Sequence, residues 1–478
     1  MANDPTEETP LLQDEYAGSL PFLRDFLLRL ESISLEDLNQ NDLLFPSQLS
    51  IHRALRASFS LLVLLLFREK KTQKKTVQYN PWDDWKDEAL TDQWIQTIDE
   101  NIELLWTTFL GEFCSSQDIE LILWIEFRID KKGKPLRVID FVSKQPKLLN
   151  DRVVELSLLY RWKRGAPLNP STSSQYLTPR YDALCTPWIY HAFDLASQIV
   201  FLLLLVSYVL NPPRPAFYSL PLEYIGSREI VLLVLSVSAI LHSWTTSMPF
   251  ALTLLAFVFK LPSAPFPSDF AFNILLLSIA LLLVQLHLPF SPSPFLLFWP
   301  ERSLPLAVLI VNGILGTTLK VLMFFLPVLL LSILFLSYAL SDVFLLSSFA
   351  HGPAPMPTRE LFFILAIFTF ISMVLSVLIL VPIFPTPARK SASWDQYSVS
   401  IGHKARVQFY HSVIRYSKPY PFPPPFNILY FVLILVPAHA LPYFDISISF
   451  LFVLQKILWR VVVGPFVVIV RLLALKLS

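Results

Sequence analysis

Glycine and cysteine are scarce in this chain of 478 residues, which contains 10 glycines and two cysteines. No glycine falls in a GxGxxG, GxxxxGKS/T or GxSxG pattern, so the sequence does not support a dinucleotide-binding fold, a P-loop or a nucleophile elbow. Cys114 and Cys185 form no CxxC pair, and the eight histidines form no metal-binding motif. We therefore expect that the protein is not an enzyme and that it holds no metal or cofactor.

Charge is scarce as well, and it is unevenly distributed. Asp, Glu, Lys and Arg make up 16% of the chain, against roughly 25% in soluble domains. Residues 1–190 hold 50 of these side chains, whereas residues 191–385 hold only 13. The net charge of +1 gives no general attraction to nucleic acid, so we expect none as a partner. The distribution predicts a soluble front part and a back part embedded in a lipid bilayer.

The N-terminus is acidic and lacks apolar periodicity, so residues 1–18 are predicted to be disordered. It does not resemble a secretory signal peptide, and the front part should therefore stay in the cytosol. Glu7 stands four positions before Leu11 and Leu12. This spacing resembles the dileucine sorting signal that cytosolic adaptor coats bind, although such short strings also arise by chance.

Residues 19–187 are predicted to form a cytosolic, α-rich domain that contains a small β-hairpin. The apolar run Phe59–Phe67 is shorter than the roughly 17–25 residues of a membrane span, so we predict that it belongs to a core helix. Alternating apolar residues around a turn at Gly133 predict a hairpin made of Ile119–Ile129 and Leu136–Val142. Helices are predicted over Pro46–Lys71, Ala89–Leu110 and Leu148–Lys163.

Residues 188–385 are predicted to form a channel-like domain, so the fold class is a mostly α, polytopic membrane protein with six spans. The apolar piece 249–261 is short and flanked by prolines, which favours an interfacial or re-entrant segment. Asp194, at the start of the first span, is expected to reach the lipid headgroups. The predicted spans are 190–210, 229–248, 270–290, 303–316, 318–341 and 361–385.

Flanking charge indicates the topology. Residues 386–426 hold six Lys or Arg and one acid, so the positive-inside rule predicts a basic linker in the cytosol. Both ends of the membrane domain then face the cytosol, which requires an even number of spans. Residues 427–478 are predicted to be apolar, membrane-associated helices. Lys456, Arg460 and Arg471 lie near one helical face, as in an amphipathic helix on the cytosolic leaflet; a further pair of spans at 427–441 and 446–470 is the alternative.

The order of a cytosolic helical domain, six spans and a basic tail is typical of many tetrameric cation channels. Short strings at Leu177–Tyr181 and Phe193–Tyr208 resemble the entry into the first span of transient receptor potential channels. Arg228–Ile230 and Pro421–Ile428 resemble the fungal branch of that family, whose members similar to this chain are vacuolar calcium-release channels. The resemblance implies a homotetramer of the vacuolar membrane, with both termini in the cytosol, that conducts Ca, K or Na ions through spans five and six.

The candidate ion pathway follows from this resemblance. Asp342–Ala350 would form a short pore helix, and His351-Gly352 a turn whose carbonyl groups face the ions; a plain lumenal connector is the alternative. Asp342 and Glu360 would flank the lumenal mouth. Small polar residues on one face would line the sixth span or let helices approach closely. The full set is Asp342, His351, Gly352, Glu360, Thr369, Ser372 and Ser376.

Two other classes of function stay open. A secondary transporter predicts an internal repeat, and the sequence shows none. A non-conducting scaffold derived from a channel fold would fit the short, proline-filled connector between spans five and six.

Overall fold

The computed structural model consists of two compact units, one made of residues 1–283 and 410–478 and the other of residues 284–409. Both are almost entirely helical. The parts of the chain that the structure describes are 27, 53–73, 81–112, 115–128, 135–165, 181–211, 226–243, 247–260, 268–290, 292–311, 316–339, 360, 363–364, 367–371, 374–375, 393–440 and 449–477.

The first unit begins with short and medium helices that pack around one apolar helix. Their bounds are α1 Arg53–Gln73, α2 Pro81–Glu112, α3 Ser116–Trp124, α4 Ile139–Val142, α5 Pro146–Leu149 and α6 Arg152–Arg164, with strands β1 Phe127–Arg128 and β2 Pro135–Leu136.

Helix α1 is the core of this region, as the short apolar run predicted. Leu61, Leu62 and Leu64 are fully buried, and α2 and α3 pack against the helix. Ser58 donates to the carbonyl of Ile122 at 2.7 Å, so a buried hydroxyl joins α1 to α3. A helix that is apolar on all sides must be covered on all sides, and here neighbouring protein covers it.

The β-hairpin is much smaller than predicted. Within the described ranges 115–128 and 135–165, the pairing is limited to Phe127–Arg128 and Pro135–Leu136, in antiparallel register. The prediction of a strand from Ile119 was wrong, because Ser115 caps a helix there by accepting from the backbone N–H of Asp118 at 3.1 Å. The predicted second strand is also helical after Leu136, at Ile139–Val142.

The apolar part of the first unit contains four successive helices: α7 Pro187–Leu210, α8 Ser227–His242, α9 Met248–Lys260 and α10 Ser268–His287. Helices α7 and α8 are antiparallel. Arg228, at the start of α8, donates to the carbonyl of Ser207 near the end of α7 at 3.4 Å. His242, at the end of α8, lies 3.7 Å from Asp194 near the start of α7.

Helix α9 runs alongside α7 and then α10 returns along α9. The ring of Phe250 lies 4.7 Å from that of Phe201, and the ring of Phe257 lies 5.4 Å from that of Tyr208, so α7 and α9 point the same way. At the start of α10, Phe270 meets Phe259, near the end of α9, at 5.4 Å. The four helices therefore alternate in direction around one apolar core.

Buried hydroxyl groups join α9 to α10. The side chains of Thr253 and Ser278 lie 2.8 Å apart, and both reach the carbonyl oxygen of Pro249, at 3.0 and 2.7 Å. All three contacts lie in the apolar interior, where a polar group without a partner is costly.

The C-terminal part of the first unit contains two more helical segments. Helix α14 occupies Asn427–Ala440, and its first side chain, Asn427, donates to the carbonyl of Ser238 in α8 at 2.6 Å. Helix α15 comprises Ser449–Leu458, Trp459–Val463 and Gly464–Leu477.

The second unit contains helices α11 Pro300–Leu309 and α12 Gly316–Ala339. It also holds most of α13, Val399–Tyr416, whose last seven residues belong to the first unit. The guanidinium of Arg406 donates two hydrogen bonds of 2.8 Å to the carboxylate of Asp395. Ser393 donates to Glu301 at 2.9 Å. These contacts place the segment in front of α13 against the start of α11.

Among the residues that the structure describes, three helices are long and apolar enough to cross a membrane: Pro187–Leu210, Phe270–His287 and Phe450–Leu472. The shorter apolar helices are Met248–Phe259, Leu319–Leu331 and Asn427–Ala440. The structure thus supports a helical membrane protein.

Candidate functional site

A buried polar cluster lies where α7, α8 and the end of α13 meet. Its centre is Asp194, in the second turn of α7, which is 1% exposed. The hydroxyl of Tyr416, the last residue of α13, donates to Asp194 Oδ2 at 2.8 Å. Nε2 of His242 lies 3.7 Å from the same oxygen. The expectation that Asp194 reaches the lipid headgroups was wrong, because protein side chains surround the carboxylate.

Local sequence explains how α7 presents this carboxylate. Thr186 caps the helix by accepting from the backbone N–H of Ile189 at 3.4 Å, and Pro187 occupies the first turn. Tyr190, His191 and Asp194 follow at spacings of three and four, so they share one helical face. All three are buried.

Aromatic rings enclose Tyr416. The ring centroids of Tyr190, His191 and Trp162 lie 5.1, 5.2 and 6.2 Å from that of Tyr416. Burial raises the pKa of Tyr416 well above its ordinary value, and the Asp194 carboxylate adds to the shift. The phenol therefore keeps its proton and acts as the donor to Asp194 at all physiological pH values.

A small pocket opens beside the cluster. Its wall contains polar atoms and aromatic rings. The polar atoms come from Asp194, Gln198, His242 and Arg415, and the rings belong to Phe201 and Phe250. Within the described part of the chain, Gln198 Oε1 is buried without a hydrogen-bond partner.

The cluster joins three helices through one carboxylate. A single carboxylate is held by one phenol and faced by one imidazole, and these come from helices far apart in sequence. Removing one partner from such a buried group leaves its desolvation uncompensated, so the contact strongly favours one arrangement of α7 and α13.

The predicted ion-pathway residues fall mostly outside the described residues. Of that set, the structure describes only Glu360, which is exposed, and Thr369, which is 4% exposed. The residues outside are Asp342, His351, Gly352, Ser372, Ser376 and, from the candidate sorting signal, Glu7, Leu11 and Leu12. Their proposed roles stay predictions. Across the ranges that the structure describes, no group of three or more His, Cys, Asp or Glu side chains could hold a metal ion.

Sequence reasoning missed Tyr416 and the importance of His242. The available signal was Asp194 itself, because an acidic residue inside an apolar span calls for a partner. The partner could not be named, since Tyr416 lies 222 positions away and nothing in a single sequence pairs the two.

The chain matches no protein-family model and no curated protein.

Proposed function

We propose that the protein is a cation channel of an internal, vacuole-like membrane, similar to the fungal vacuolar calcium-release members of the transient receptor potential family. Four copies would surround a pore made by spans five and six. The buried contact between Tyr416 and Asp194 is the observation that carries the proposal. It joins the segment behind the sixth predicted span to the first helix of the bundle.

Six spans remain the proposed number, with a revised assignment. Helices α7 to α10 alternate in direction around a shared core, which is expected if all four cross the bilayer. Helix α9 lies beside α7 from Phe201 to Tyr208, so we assign it as the third span in place of an interfacial segment. Helix α12 then supplies span five, and residues 361–385 supply span six. The even count keeps both termini in the cytosol.

The Tyr416–Asp194 contact supports gating in particular. A channel that responds to a stimulus needs a route from its peripheral helices to the helix that lines the pore. Helix α13 follows span six in sequence, and its last residue is held by the first helix of the bundle. Breaking the contact should shift the balance between open and closed states without altering the permeation path.

The test is single-channel recording from reconstituted protein. Tyr416→Phe keeps the ring and removes the hydroxyl, and Asp194→Asn keeps the shape and removes the charge. Both should change open probability several-fold while unitary conductance stays the same. Tyr160→Phe, at a half-exposed position on α6, is the matched control and should behave as wild type.

A folded, correctly oriented wild-type protein that passes no cation current under any tested calcium, pH or stretch condition would refute the channel proposal. Unchanged open probability in both variants would leave a channel but remove the cluster from its gating.

The proposed location rests on Glu7, Leu11 and Leu12. The replacement of both leucines by alanine should move the protein to another compartment, as seen by fluorescence microscopy of a tagged chain. An unchanged location would show that the string is coincidental.

A further inference from the structure

We propose that helix α15 lies in the membrane interface across the start of α7 and does not cross the bilayer. Its outward apolar face would contact the acyl chains of the leaflet in which α7 begins. The length and composition of Phe450–Leu472 are compatible with a membrane span. The contacts of this helix favour the interfacial position.

Two arginines of α15 reach the same short segment in front of α7. Arg460 forms two hydrogen bonds with Asp182, at 2.9 and 2.6 Å. Arg471 donates to the carbonyl of Leu184 at 3.2 Å. The two arginines are 11 residues apart, which corresponds to about 16 Å along a helix. A helix perpendicular to the membrane would place them at very different depths, yet both end at residues that precede the first span.

The order of the aromatic contacts also shows a crossing. Trp459 packs against Tyr181 at 6.3 Å, and Phe466 packs against Phe193 at 6.4 Å. Five residues after Phe466, however, Arg471 is back at Leu184. If α15 ran alongside α7, successive turns of one would meet successive turns of the other. Instead the contacts move from the segment before α7 to Phe193 and then return to that segment, as they do when one helix crosses another.

The two faces of α15 differ in what they touch. Trp459, Val463 and Val467 are at most 3% exposed and belong to an apolar cluster with Ile189 and Phe422. The opposite side is apolar and exposed. Its exposed side chains include Phe450, Val453, Ile457, Val461, Ile469 and Leu472.

Lipid is the occupant that fits the outward face. The face is next to the start of a membrane-spanning helix, so it lies at the level where acyl chains begin. Asp182 balances the charge of Arg460, and Lys456 and Arg471 add two further positive charges at this level, where anionic headgroups attract them. In a spanning helix, Arg460 would lie close to the midplane, which is the least favourable depth for an arginine.

The experiment measures the depth of spin labels in the full chain reconstituted in vesicles of phosphatidylcholine and phosphatidylserine. Single cysteines replace Val453, Val461 and Leu472 in a background with Cys114→Ser and Cys185→Ser. Collision with oxygen and with a water-soluble nickel chelate reports depth. Val200→Cys and Leu210→Cys, both exposed on α7, are matched controls that should differ in depth by about 15 Å.

The interfacial helix predicts that the three α15 labels lie at similar depth in one leaflet. A span predicts that Val453 and Leu472 are about 28 Å apart in depth, on opposite sides of the midplane, which would overturn the proposal. Labels shielded from both oxygen and nickel would show that a second protein copy covers the face, and this too would overturn it. The result is independent of whether the protein conducts ions.

Discussion

Arg460 and Asp182 form an ion pair with two hydrogen bonds that joins helix α15 to the segment before α7. The hydroxyl of Tyr420 donates to the same carboxylate at 3.0 Å. One acidic side chain therefore anchors both α15 and the turn in front of α14.

Asp182→Asn should loosen this anchor. The pair is partly exposed, so solvent screening limits the loss to about 1–2 kcal/mol. Thermal unfolding in detergent, followed by size-exclusion chromatography, measures it, with Asp92→Asn on α2 as an exposed control. The exchanged pair, Asp182→Arg with Arg460→Asp, should recover part of the loss. If the double variant loses as much stability as Asp182→Arg and Arg460→Asp lose together as single variants, the two side chains are not coupled.

Gly464→Ala should disturb the same region by a steric route. A Cβ atom at this position would lie 2.1 Å from the hydroxyl oxygen of Tyr181 and 2.6 Å from the ring carbon that carries it. The ring must move, and the 3.1 Å hydrogen bond from Tyr181 to the carbonyl of Arg460 is then lost.

We expect Gly464→Ala to cost about 1–3 kcal/mol of stability, measured by the same thermal assay. Adding Tyr181→Ala removes the clash, so the double variant should lose less than the sum of the two single losses. Wild-type stability of Gly464→Ala would contradict the close approach of the two residues.

The thiol of Cys185 should be unreactive in the folded protein. Burial raises its pKa to about 12, and the nearby Asp182 carboxylate acts in the same direction. At pH 8 the thiolate fraction is then about a thousandfold below that of an unperturbed cysteine. Iodoacetamide labelling of a Cys114→Ser protein, followed by mass spectrometry, should be slow when folded and fast in denaturant. Equal rates in the two states would exclude the shift.

The raised pKa of Cys185 also lowers the free energy of unfolding at alkaline pH. Because its pKa is higher in the folded state, its contribution is fully present below about pH 9 and falls as the pH rises toward 12.

Arg161 and Glu120 form a buried pair in the front helices. Their charged atoms are 3.5 Å apart, and the guanidinium lies 4.5 Å from the ring centroid of Trp124. Burial raises the pKa of Glu120, while Arg161 and Ser157 oppose the rise. Burial also lowers the pKa of Arg161 to about 10. Each charge is therefore tolerated chiefly because the other is present.

Arg161→Leu should cost about 3–5 kcal/mol at neutral pH, because it leaves the Glu120 carboxylate buried without its cation. The cost should shrink in acid, where Glu120 takes up a proton. Glu120→Gln in the same chain should restore much of the loss, and thermal unfolding between pH 5 and pH 8 tests both effects. A loss that does not depend on pH would mean that packing against Trp124, not charge, is what Arg161 supplies.

The main elements were predictable where the signal is local. The apolar run around Leu62 was too short for a span and is indeed a buried helix, because length and burial follow from composition alone. The predicted hairpin failed at Ile119, where alternation suggested a strand. A capping serine at position 115 and the covering α1 helix favour a helix instead. Local capping therefore outweighed the two-residue period.

The buried cluster was beyond sequence reasoning for a different reason. Asp194 was visible as a polar residue in an apolar run, but its burial depends on Tyr416 and His242 arriving from distant segments. The same holds for the bond between Asn427 and Ser238, which connects positions 189 residues apart. The spacing of apolar residues predicts which face of a helix is buried, but it does not identify the segment that packs against that face.

The hydroxyl groups at Pro249 have a consequence for biosynthesis. Helix α9 has 13 residues, about 20 Å of helix, whereas the hydrocarbon core is about 30 Å thick. The carbonyl of its second residue, Pro249, accepts from Thr253 of the same helix and from Ser278, which belongs to the next helix to leave the ribosome. A helix this short does not cover the hydrocarbon core by itself, and its packing against α10 completes the buried contacts. Helices α9 and α10 should therefore leave the translocon together as a helical hairpin, with the Ser278 hydroxyl already in place.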